Sequence, residues 1–292
     1  MATISSPEKP SATAPTPPPQ RPNQFRRPST FSEMLGIFQH VGVLKLLVGR
    51  DLSMRYKGSL LGRLWPLVHP LGQLIIYTFV FSIVLKVGFG PDRSTSSFAL
   101  YFMTGLIPWA IFSEAISRSS TVILENPNLV SKVIFPLEVL PLVNVFSAVC
   151  TQFLAFSVLF ASAALFHKVH LTVLLLPVVA LPLILFSAGT SLFLASLGVF
   201  LRDTRHLVSL ALQAGMYATP ILYPAKSVPE QYNWVLWINP LASIVDNFRK
   251  ILLEGTIPDL TQFGIYSGVC FLVFIGGFYF FVKTKRSFAD VM

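Results

Sequence analysis

Between residues 173 and 201 the chain reads VLLLPVVALPLILFSAGTSLFLASLGVFL, without one charged side chain. A helix made from this stretch is apolar on every face, so it cannot lie on the surface of a water-soluble domain. It suits a bilayer, whose hydrocarbon core of about 30 Å is spanned by about 20 helical residues. Lipid offers the backbone no hydrogen-bond partner, which restricts a spanning segment to helix or closed barrel. Five more runs qualify as helices on the same grounds, at 65–85, 98–116, 139–166, 208–223 and 263–282, the fifth in chain order being short. With 53% hydrophobic and only 12% charged residues, the chain lies outside the range of soluble domains. The expected fold class is an all-α polytopic membrane protein with six transmembrane helices.

One apolar stretch does not fit a span. YNWVLWINPLASIVDNFRKILLEG, 232–255, carries Asp246, Arg249 and Lys250, with Pro240 near its middle. Counting it as a seventh crossing would send the terminal KTKRS to the far side. Six crossings instead gather the cations before residue 65, Arg118, Lys132, Arg202, Arg205, Lys283, Lys285 and Arg286 on one side. Only Lys86, Arg93, Lys168, Lys226, Arg249 and Lys250 then lie opposite. That asymmetry is the positive-inside pattern, and it puts both termini in the cytosol. Segment 230–253 is therefore expected as two re-entrant half-helices, broken at Asn239 and Pro240 and dipping into the outer leaflet. The formal net charge of +9 is read as topology, with no nucleic-acid partner. Residues 1–30 are rich in Pro, Ser and Thr without an apolar core, so they are expected as a disordered cytosolic tail, leaving 31–292 as the membrane domain. Cys150 and Cys270 sit inside apolar runs and count as small hydrophobes.

Ahead of the first run, VGRDLSMRYKGSLLGR concentrates Arg50, Arg55, Lys57 and Arg63. On a helical wheel Val43, Leu47 and Met54 share a sector, flanked by Arg50 and Lys57 on one side and by Asp51 and Arg55 on the other. Such a helix suits the headgroup plane, with its cations directed at lipid phosphates. A plain basic cluster that fixes orientation accounts for the composition equally well.

The order of residues goes further. RDLSMRYKGSLLGRLWPLVHPL, YFMTGLIPWAIFSEAISRSSTVILENPNLVSKVIFPLEVLPL and the 59 residues from LGVFLRDTRHLV to NFRKILLEG together resemble the ABC-2 type permeases that export polysaccharides, the membrane subunits of O-antigen, capsule and teichoic acid transporters. The Pro-rich tail departs from that pattern. The resemblance implies a homodimer driven by two copies of a separate ABC ATPase, which binds the ATP and Mg, so that this chain carries no cofactor. It implies a lipid-linked polysaccharide as substrate, residence among the lipids of a bacterial inner membrane, and an interfacial helix bearing Arg50, Asp51, Arg55 and Lys57. It also implies a coupling helix in the loop 119–136, with Glu125, Asn126, Asn128, Leu129 and Lys132 as ATPase contacts. Arg202 and Asp203 in the next such loop are weaker candidates, and Trp234, Trp237, Asn239 and Pro240 would belong to gate helices at the outer exit.

The residues limit the chemistry. There is no G-x-x-x-x-G-K-[ST] phosphate loop, and the dipeptide Gly-Lys is absent from the sequence. Within the spans Glu114 has Arg118 at i+4, spacing that permits an ion pair, and Glu138 lies at the start of the third run. No ladder of titratable groups suggests proton coupling. Phe98, Tyr101, Phe102, Trp109 and Phe112 share one face of the second run, and Tyr77 and Phe81 are paired in the first. Aromatic faces of this kind suit either a slippery conduit for sugar rings or helix packing. Gln73, Asn144, Gln152 and Gln213 offer amides either to a passing glycan or to neighbouring helices. His167 and His170 lack a third ligand, and no catalytic set converges on one face. The leading reading is the permease of a polysaccharide exporter. The alternatives are an ABC-2 permease for a small amphiphile, or a membrane enzyme of lipid-linked sugars that would need Glu114, Glu138 or Asp246.

Overall fold

The computed structural model describes residues 39–55, 57–84, 95–130, 135–165 and 170–291. Lys132 and the tail 1–30 lie outside them. Every regular element among the described residues is helical. In chain order these are α1 (Val41–Arg55), α2 (Trp65–Tyr77, continued by π-helical turns Thr78–Val84), α3 (Thr95–Ser119), α4 (Pro127–Val130) and α5 (Val139–Leu165). There follow α6 (Leu176–Phe200, led by the 3-10 turn Leu171–Leu175), α7 (Thr204–Ala218), α8 (Asn233–Ile238), α9 (Pro240–Arg249), α10 (Leu260–Thr284) and α11 (Phe288–Val291).

Four helices are long and apolar enough to cross a membrane, at 97–119, 139–165, 171–200 and 260–287. They correspond to the second, third, fourth and sixth runs of the sequence. The first run is a shorter apolar helix over 67–81 that is prolonged as a π-helix. At 15 residues α7 rises only about 22 Å, less than a hydrocarbon core.

α3, α6 and α10 run toward one face and α5 runs back from it, so the helix ends meet on two faces. On one, the backbone of Ser120 packs against Gly198, Lys285 Nζ lies 3.5 Å from Glu138, and Ser196 is hydrogen-bonded to Thr284. On the other, Thr172 Oγ1 donates to the Ile251 carbonyl at 2.7 Å. The first face carries the loops with Arg118, Arg202 and Arg205, as the charge asymmetry requires; it is called the basic face below, and its counterpart the opposite face.

α3 is the most enclosed of the long helices, packed on α5, α6, α7 and α9. The most extensive helix pair is α6 with α10. Gly189 and Gly277 allow that approach, since a Cβ on either would collide with the other helix's backbone. In an apolar solvent, close van der Waals contact of this sort replaces the hydrophobic drive.

Candidate functional site

α1 packs against α5, and its inward stripe is partly ionic. Arg55 donates to Asp51 through Nε at 3.1 Å and Nη2 at 2.9 Å, and through Nη1 to Glu114 of α3. Arg118, one turn beyond Glu114, donates to Asp51 at 2.5 and 3.0 Å. The sequence spacing pairs Glu114 with Arg118, but the fold gives each a partner on α1. Asp51 and Arg55 thus turn inward, while Arg50 and Lys57 stay exposed at the basic face. Burial pushes the Asp51 carboxyl up, yet the hydrogen bonds and charge of Arg118 and the charge of Arg55 hold it below the usual carboxylate range. Burial pulls the Arg55 guanidinium down, and Glu114 and Asp51 more than reverse it. Sequence periodicity missed the Arg55–Glu114 and Arg118–Asp51 pairs, since a cross-helix pair leaves no i,i+4 signature, unlike Asp51 with Arg55.

Beside the network opens a cavity of about 760 Å³ between α2, α3, α5 and α7. Arg55, Glu114 and Ser117 close its end toward the basic face. Trp65, His69 and Gln73 of α2, Trp109 of α3 and Gln152 of α5 line its walls. Aromatic faces alternating with amides and hydroxyls suit sugar rings, which offer both apolar C–H faces and hydroxyls. Of the two cavity amides, Gln73 and Gln152, neither is distinguished in the sequence from Asn144, which bonds to Ser119 Oγ at 3.3 Å instead.

Of the seven aromatic residues proposed as channel lining, Trp109 alone borders this cavity. Phe98 and Phe102 are buried and stacked, centroids 6.2 Å apart, and Tyr77 meets Phe102 at 5.0 Å and Phe81 meets Phe98 at 6.2 Å. These four knit α2 to α3, so within this chain they pack helices. Tyr101 receives Arg249 on its ring. Phe112 stacks on Phe186 at 5.1 Å and borders a second, apolar groove of about 460 Å³ between α3, α6 and α7. Trp109 lies between groove and cavity, in space that Gly215 leaves for its ring.

On the basic face a cleft of about 680 Å³ joins Arg50, Asp51 and Met54 to Glu125, Asn126 and Leu129, with Arg205 completing it. Both proposed coupling loops therefore share one face. The loop after α3 is shaped by Asn126, whose Nδ2 donates to the Val122 carbonyl at 2.8 Å, and by Thr121, which donates to Glu125 at 2.7 Å. Pro127 then starts the single helical turn α4, leaving Glu125 and Asn128 exposed. Arg202 and Asp203 are exposed as well.

On the opposite face the 232–255 stretch forms two short helices with their break at Asn239, in extended conformation (φ −90°, ψ 103°). Its side chain accepts from the Leu241 amide at 3.0 Å, a helix N-cap, and Pro240 takes the first helical position, where no N–H is needed. Trp234 and Trp237 of α8 are exposed, whereas α9 is largely buried.

A bundle of long apolar helices around a tryptophan-walled cavity, with an exposed helical turn between two of them, is the build of a membrane transport protein. The chain belongs to the ABC-2 type transporter family, whose model matches residues 42–253. It is the membrane permease subunit of a transporter. Among its relatives are the O-antigen export system permease proteins RfbA of Klebsiella pneumoniae, 31% identical over 86% of this chain and 95% of the relative, and of Myxococcus xanthus, 28% identical over 87% and 96%. The polysialic acid transport protein KpsM of Escherichia coli is 26% identical over 72% of this chain and 81% of its own.

Proposed function

We propose that this chain is the permease of an ABC exporter that carries a lipid-linked polysaccharide, of the O-antigen or capsule kind, out of the bacterial cytoplasm. The observation that carries the reading is the cavity walled by Trp65, Trp109, Gln73 and Gln152. The relatives named for O-antigen export and polysialic acid transport support the substrate class. Two chains side by side place their cavities on one axis, and all six apolar helices cross the inner membrane, α2 and α7 being completed by their irregular continuations. The basic face is cytosolic by the positive-inside rule, with both termini there.

The ATP and Mg belong to a separate ATPase, two copies of which dock on the turn carrying Glu125, Asn126, Asn128 and Leu129, with Arg202 and Asp203 beside it. Lys132 extends that contact, and Arg50 and Lys57 hold α1 against anionic headgroups. α8 and α9, with Trp234 and Trp237 at headgroup level, form the outer gate. Deleting the gene in its own host tests the reading. Surface polysaccharide disappears while lipid-linked polymer accumulates inside, and the wild-type chain restores export only together with its ATPase. Intact surface polysaccharide with loss of a small amphiphile from the medium refutes the polymer substrate.

A further inference from the structure

Among the described residues Arg249 is the most deeply buried cation. It is 4% exposed at the end of α9, close to α3. Its Nη1 donates to the Pro220 carbonyl at 2.6 Å and its Nη2 to those of Ile221 at 3.0 Å and Tyr101 at 3.5 Å. The guanidinium lies 3.6 Å above the centre of the Tyr101 ring. Gly105 makes the slot, since a Cβ there would sit 2.9 Å from Nη2.

These acceptors are available for a local reason. α7 ends at Ala218 and Thr219 is extended, so the carbonyls of Pro220 and Ile221 lie past the helix in a buried turn and need a partner from elsewhere. Pro220 has no N–H with which to continue the helix. Arg249 caps this turn from outside. At the other end of α9, Asn239 Nδ2 donates to Thr219 Oγ1 at 2.9 Å and to the Ala218 carbonyl at 3.5 Å. Both ends of α9 are therefore fastened to residues 218–221. α8 differs: it has no buried residue, and its polar tie to the bundle is the Tyr266 hydroxyl on the Trp237 carbonyl at 3.4 Å.

We propose that Arg249 is a positioning residue that joins α9, the 218–221 turn and α3 into one rigid frame, so that the outer gate opens by movement of α8 alone about Asn239. The proposal rests on reading α8 and α9 as the outer gate. Withdrawing the guanidinium would leave an uncompensated cation in a low-dielectric interior, so the frame stays closed through the cycle.

Reversible cross-links in the full transporter, with Cys150 and Cys270 replaced by Ser and Ala, test it. Ile221 Cα and Val245 Cγ1 each lie 3.4 Å from the point where a Gly105 Cβ would stand, hence within about 7 Å of one another, so I221C/V245C bridged by a short bis-thiosulfonate joins the frame to itself. W237C/Y266C, bridged by a short bis-thiosulfonate, joins α8 to α10. The frame link leaves export within about twofold of the same variant reduced, whereas the α8 link stops export and reductant restores it. R249Q lowers export by at least about tenfold, and the bridged I221C/V245C link in that background recovers most of it. A frame link that stops export reversibly, or R249Q that exports normally, overturns the role of Arg249 and leaves the gate standing. An α8 link without effect overturns the gate itself. Should R249Q not fold, the two cross-links decide alone.

Discussion

Arg118 of α3 donates two hydrogen bonds to Asp51 of α1, at 2.5 and 3.0 Å, so a long apolar helix holds α1 by charge. Asp51 also accepts from Arg55, and D51N therefore weakens two ion pairs at once. Each charge-assisted bond contributes about 1–3 kcal/mol, the lower part applying to the half-exposed Arg118. D51N lowers detergent melting temperature and export, and D51E recovers part of both. Thermal unfolding by fluorescence and surface glycan blotting measure these.

The same carboxylate sets a pH dependence. Its folded pKa lies below the ordinary value of about 3.9, so its stabilisation is complete above that value and disappears as pH falls through the folded one. Between pH 5 and pH 8, roughly, the stability gap between wild type and D51N is constant, and it closes below about pH 3.9. Melting curves of the two proteins across pH check this.

Arg55 and Glu114 form an ion pair at the closed end of the cavity. R55E and E114R singly leave like charges facing each other and cut export by about tenfold or more. The double exchange R55E/E114R recovers export above either single variant, and the cycle gives the coupling energy. Initial rates of surface polymer appearance are the measurement.

Glu125 and Asn128 are exposed, so E125A/N128A keeps the fold at a cost of about 1 kcal/mol, most of it the Thr121–Glu125 hydrogen bond. Docking of the ATPase on that turn makes the double variant lose co-purification with it. Pull-down from mild detergent, beside a melting temperature close to wild type, checks the outcome.

Gly277 faces Gly189 across the α6–α10 contact. G277L forces backbones apart, so the penalty exceeds the usual 1–3 kcal/mol, roughly, of core overpacking. Folded protein in the membrane fraction falls sharply, as fluorescence-detected size exclusion shows.

The four long apolar helices were legible because a bilayer imposes length and apolarity on the local sequence, and the break at Asn239–Pro240 because proline and an Asx cap act within a few residues. The aromatic face of α3 was legible as a face, but not what it meets. Phe98 and Phe102 turned out to join helices, and Trp109 to border the cavity, since the neighbours come from distant parts of the chain. Trp65 and His69 carried no signal beyond their place at the membrane edge.

The sequence by itself determined a helical membrane chain and the two-part segment before the last helix, both of which follow from solvent and local backbone preference. Only the tertiary structure decided that Asp51 and Arg55 face inward to Arg118 and Glu114, and that Arg249 lies on the carbonyls of residues 220 and 221. A charge in low dielectric takes whichever partner the packing of helices brings within hydrogen-bond reach, and that choice is not written in spacing along the chain.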